Sequence, residues 1–82
     1  MPVALRQNGF RVVILFPPRE HKPAHVHVLK GDGLAVITLE YLGETQALRR
    51  VEGMNRADVA RAMRLVRDNS EVLIARWREI HG

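Results

Sequence analysis

The last third of the chain carries one apolar stripe that never loses register. Val59, Met63, Val66, Ser70, Leu73, Trp77 and Ile80 follow one another at spacings of four, three, four, three, four and three, and all but Ser70 are apolar. This is the period of one α-helical face, and a strand cannot present it. Asn55 offers a side-chain N-cap, and Asp58, three residues on, completes a capping pattern near the positive end of the helix dipole. A helix is therefore expected from Asn55 to the end of the stripe. Asp68-Asn69-Ser70-Glu71 could cap a second helix, but the unbroken stripe favours one long helix, bent if anywhere at Asn69. A straight helix of ~26 residues would run ~39 Å. A four-stranded sheet beneath it would be only ~20 Å wide. The far end, with Leu73 and Trp77, is expected to fold back or to meet another chain.

Upstream the period changes to two. Phe10, Val12, Ile14 and Phe16 fall on one face of a strand, with Arg11, Val13 and Leu15 on the other. Apolar residues on both faces mark a central strand. Pro17-Pro18 ends it, because proline lacks the ladder donor. His25 to Leu29 reads as a second strand, Gly31-Asp32-Gly33 as a hairpin turn, and Leu34 to Leu39 as a third strand. A weaker fourth lies within Gln46 to Val51. Met1 to Asn8 reads as a lead-in closed by an Asn8-Gly9 turn. The expected fold class is α+β, an antiparallel sheet of three to four strands followed by a long C-terminal helix, straight or bent, on one face. The whole chain, 1–82, is one domain, with a sheet region at 9–52 and a helical region at 55–81.

A domain of 82 residues buries a modest core, so outside help is expected: self-association, a partner, or a metal held by histidine and carboxylate. There are no cysteines, which excludes disulfides and thiolate metal sites and suits a reducing cytosol. The longest apolar run, Val12 to Phe16, is strand-sized and far below the ~20 residues that span a bilayer. No charged leader precedes an apolar core at the N-terminus. A cytoplasmic location away from membranes is expected. Thirteen Lys and Arg against nine acidic residues give a net charge of +4. A basic face could attract nucleic acid or an acidic protein, although this excess is ordinary for a solvated surface.

The chemically distinctive run is Glu20-His21-Lys22-Pro23-Ala24-His25-Val26-His27. His25 and His27, two apart on a strand, leave the same face. Two imidazoles so placed can chelate a divalent ion such as zinc or nickel, or set an acid and a base against a phosphate. Glu20 and His21 precede them on a loop that could return either to the same site, with Glu20 as a ligand or as the acceptor that fixes a histidine tautomer. Equally, His25 and His27 can be the polar side of an amphipathic strand whose Val26 and Val28 face the core. His81, next to the chain end, reads as solvated. A histidine-triad nucleotide hydrolase would need a third histidine where Leu29 stands, and too few strands are present for a cupin-like barrel. No serine or cysteine nucleophile neighbours the cluster, and no glycine-rich phosphate loop accompanies it.

The apolar strand Phe10 to Phe16, then Glu20, His21, Pro23, His25 and His27, then Leu73 and the late Trp77, resemble the short bacterial proteins catalogued as domain of unknown function 4160. Ala24 stands where that family usually has a second proline, a change that loosens the loop and removes no chemical group. Members are often encoded beside a second small protein, an arrangement resembling toxin–antitoxin modules. The resemblance implies a partner-bound protein and brings no activity with it. Two main classes of function stay open, beside a third, a metal-binding protein without catalysis. One is a binding component of such a module, with Leu73 and Trp77 meeting a homodimer mate or the protein encoded nearby. The other is a small metal-dependent or histidine-based phosphodiesterase or ribonuclease. In that reading His21, His25 and His27 serve as acid, base or ligands, and Glu20 completes a metal set.

Overall fold

A computed structural model describes residues 3–15 and 23–82. Five strands, β1 (Val3–Gln7), β2 (Phe10–Val13), β3 (His25–Lys30), β4 (Gly33–Thr38) and β5 (Ala47–Glu52), are followed by helices α1 (Arg56–Asp68) and α2 (Ser70–His81). The strands form one antiparallel sheet in chain order, β1-β2-β3-β4-β5. The α+β class agrees with the sequence reading; the number of strands and the single helix do not.

The extra strand is β1, which the sequence presents as a lead-in. Its residues, Val-Ala-Leu-Arg-Gln, alternate poorly, and it is held by tertiary context: Leu5 lies opposite Val12 and Gln7 opposite Phe10. The turn that joins it to β2 is legible. Asn8 and Gly9 both have positive φ, 53° and 83°, as a type I′ hairpin requires, and asparagine and glycine adopt that region at least cost.

The core lies between one sheet face and the helices. Val12 and Ile14, Val26 and Val28, then Ala35, Ile37 and Leu39 supply the sheet side, and Ala62, Leu65, Val66, Leu73 and Trp77 the helix side. The partners Val12–Val28, Val28–Ala35 and Val26–Ile37 confirm that these residues share a face, since directly paired residues point the same way.

The long helix is two helices. α1 begins as expected, with the Asn55 side chain accepting from the Asp58 amide at 2.8 Å. It ends at Asn69, whose φ of −115° and ψ of 22° leave the helical region. Asn69 bonds the Leu65 carbonyl twice, through its backbone N–H at 3.1 Å and its side-chain Nδ2 at 2.8 Å, which fixes the residue at the break. The physical reason is length. The molecule measures 32 × 25 × 20 Å, so a straight ~39 Å helix would overhang it, whereas two helices of ~20 Å each match the sheet. Because the break preserves the stripe, Leu73 and Trp77 turn inward. Of the two outcomes expected for this end, the fold takes the first: it folds back, with Leu73 0% and Trp77 4% exposed, in the core of their own domain.

Candidate functional site

The ladder between β2 and β3 stops at Val13–His27, while β3 itself begins at His25. Past that point the two strands no longer pair, and the C-terminal end of α2 closes against the opening. His81 Nε2 donates to the Leu15 carbonyl at 2.9 Å, across 66 positions of sequence. The role is fixed by the acceptor, since a carbonyl cannot donate. Trp77, one helical turn earlier, stacks on the His81 ring with centroids 3.9 Å apart and planes 25° apart.

The ring contacts continue onto the sheet. Trp77 lies 5.5 Å from the His25 ring, and His25 lies 5.5 Å from the His27 ring. Four rings, His27–His25–Trp77–His81, thus run from the middle of β3 to the last turn of α2. His25 and His27 are half-buried and share a face, as the alternation with the buried Val26 and Val28 dictates. The partners of these histidines, Thr38 and Val36, lie on that same face.

The two imidazoles are held differently. His25 Nδ1 donates to the Pro23 carbonyl at 2.9 Å, so in the neutral ring Nε2 is the acceptor nitrogen. This is the arrangement that prepares a histidine to ligate a metal or take up a proton. His27 has Nε2 buried. Two imidazoles on one tetrahedral ion have ring centres about 5 Å apart, close to the 5.5 Å between His25 and His27. Glu20 and His21, proposed above as ligands or acid–base groups, lie outside the described residues. Among the described residues no three His, Cys, Asp or Glu side chains gather into a metal-holding group.

Beside the histidines is an apolar pocket of about 420 Å3, lined by Pro23, Ala24, Tyr41, Leu42, Glu44 and Trp77. Pro23 and Ala24 come from the histidine-bearing run, and Trp77 contributes both to this pocket and to the ring series. Leu42 is 72% exposed and has a φ of 51°. A leucine in the left-handed region costs about 1–2 kcal/mol, and here no burial offsets that cost.

A second, more polar cleft of about 410 Å3 lies at the other end of the sheet, between the β1–β2 turn and α1, with Lys30, Arg61 and Arg64 on its walls. Asp58 accepts from Lys30 at 3.1 Å and from Arg61 at 3.0 Å. These cations, Lys30 foremost, hold the Asp58 carboxyl below its ordinary range.

The sequence reading missed His81. Its signal was its place four residues after Trp77, which puts both rings on one helical face. No helix among the described residues is long and apolar enough to cross a membrane. No curated protein and no solved structure matches the chain. The family model for a domain of unknown function, DUF4160, matches residues 9–78, a span that holds the described part of the histidine run, the pocket and Trp77 but not His81. The chain belongs to the DUF4160 family.

Proposed function

We propose that this chain is a binding component of a two-protein assembly, of the kind met in modules resembling toxin–antitoxin systems. The observation that carries the reading is the pocket over Trp77, with Leu42 at its rim. An exposed leucine in a costly backbone conformation, beside an apolar recess, is what an interface retains and a solvated loop loses. Trp77 then serves the contact as the floor of the recess, and Leu73 supports it from the core. The occupant is an apolar side chain of the protein encoded nearby or of a second copy.

The test is co-purification of the untagged chain with the product of the neighbouring gene, followed by light scattering. The wild type should elute as a complex, and Leu42→Asp should elute alone with an unchanged circular dichroism spectrum. A wild type that stays monomeric by itself and with that product, or a Leu42→Asp chain that keeps the complex, refutes the reading.

A second reading draws on one specific observation, the His25 Nδ1 bond to Pro23. It prepares Nε2 for a divalent ion such as zinc or nickel, or for a proton in phosphodiester cleavage. His27, and His21 and Glu20 from the preceding stretch of sequence, would complete the set. Calorimetry with zinc on tag-free protein, compared with His25→Ala, decides it: equal heats from both proteins would eliminate the metal.

A further inference from the structure

The sheet ends at β5, and no strand among the described residues pairs with its outer edge. Five of its six residues, Leu48 to Glu52, are exposed. Two of them are large and apolar, Leu48 at 42% and Val51 at 37% exposure. In a regular strand residues three apart point to opposite faces. Here they do not. The register shifts between Val36 and Ile37: Ile37 pairs with Leu48, but Val36 pairs with Arg50, so Arg49 is an extra residue. Past this bulge Val51 pairs with Ala35. Ile37 and Ala35 are both core residues, so Leu48 and Val51 lie on the helix-covered side of the sheet, beyond the reach of the helices. The bulge thus assembles an apolar strip that a regular strand of the same sequence would split.

The charges on this edge choose among occupants. Arg49 makes no ion pair among the described residues, whereas Arg50 bonds to Glu52 on its own strand. A second copy pairing antiparallel about the centre of β5 would set Arg49 against Arg50 of the other chain, which like-charge repulsion disfavours. An acidic segment meets the same arginines favourably, and the chain's net charge of +4 adds to that attraction.

We propose that β5 is a docking edge, to which an extended segment of a partner protein, alternating acidic with apolar residues, adds as a further strand. Backbone bonds would supply the affinity and the Leu48–Val51 strip and the two arginines the choice of sequence. The inference rests on the reading that the chain works bound to another protein, and it names the chemistry of that partner.

The experiment is a nitrogen-15 NMR titration of the full chain with a synthetic peptide alternating glutamate and valine, and with its lysine–valine counterpart. Amide shifts should be largest across Ala47–Glu52, with about tenfold or greater preference for the acidic peptide. Charge reversal, Arg49→Glu with Arg50→Glu, should invert that preference. If the double variant does not fold, weakening of acidic-peptide binding by salt in the wild type decides the same point. Equal response to both peptides, or shifts centred elsewhere, overturns the proposal. So does a change at β5 on concentrating the protein alone, which makes a second copy the occupant, or a stronger response there to a single-stranded RNA. The two readings fail separately. A partner complex that survives charge reversal at β5 but not Leu42→Asp sinks this inference and spares the pocket. Acidic-peptide addition without any complex sensitive to Leu42 does the reverse.

Discussion

Replacing Trp77 by alanine measures how far the domain depends on its histidine end. The indole is 4% exposed and belongs to the core cluster, so nearly all of its surface leaves water on folding. An aromatic side chain of this size buries up to ~250 Å2, which at ~25 cal/mol per Å2 is an upper bound of ~6 kcal/mol. Truncations of buried tryptophan cost ~3–5 kcal/mol, because the cavity collapses only in part. A domain of 82 residues has a total stability of roughly 4–12 kcal/mol at ~0.05–0.15 kcal/mol per residue. Trp77→Ala should therefore remove about a quarter or more of the stability and bring the chain closer to its unfolding threshold. Trp77 is the sole tryptophan, so its fluorescence disappears with the substitution. Urea unfolding followed by far-ultraviolet circular dichroism is the suitable assay, with wild-type emission as an independent check on burial. Trp77→Phe, which keeps a ring beside His25, should recover most of the loss. A Trp77→Ala chain destabilised by less than ~1 kcal/mol, with full helicity, would refute the packing argument and return Trp77 to the role of a partner's anchor.

His81→Ala removes a stack and a hydrogen bond, each worth about 1 kcal/mol, and should lower the thermal midpoint by several degrees in calorimetry; an unchanged midpoint would mean that the α2 end contributes nothing. The Asp58 carboxyl is held below its ordinary range, first by the Lys30 hydrogen bond and then by Arg61. Its contribution is therefore complete above the unfolded carboxylate pKa and is lost as pH falls through the lowered folded value, so Asp58→Asn should flatten the loss of stability measured below about pH 4. Gly33→Ala would set a Cβ 2.7 Å from the Gly53 carbonyl oxygen, a backbone atom that cannot swing away, and should cost ~1–3 kcal/mol in urea unfolding.

Legibility in the sequence followed the range of the interactions involved. The apolar alternation of Val12, Val26, Val28 and Ile37, the Asn8-Gly9 and Gly31-Asp32 turns and the Asn55 cap are local, and each left a local signature. The break at Asn69 was written only as a weak capping pattern, because what enforces it is the size of the sheet, a property of the whole domain. β1 was hidden for a similar reason: its residues lack a clean period, and pairing with β2 supplies what they lack. At the candidate site the common face of His25 and His27 followed from a period of two. The meeting of those rings with Trp77 and His81 did not, since it depends on where a helix lands after the chain has turned back. The bulge at Arg49 left no readable mark, because nothing in Leu-Arg-Arg-Val announces an extra residue.

The strict chain order of the sheet carries a kinetic consequence. Every strand pairs with its immediate predecessor, so β1 to β5 can zip together through short loop closures. The contact between His81 and Leu15 spans 66 positions and cannot form until the meander exists to receive α2. The histidine end should thus be the last part to assemble and the first to open. In stopped-flow experiments Trp77→Phe should accelerate unfolding and leave the refolding rate close to wild type, a φ-value near zero. Hydrogen exchange should likewise find α2 opening at lower free energy than β3 and β4, which would expose the imidazoles of β3 transiently while the sheet beneath them stays intact.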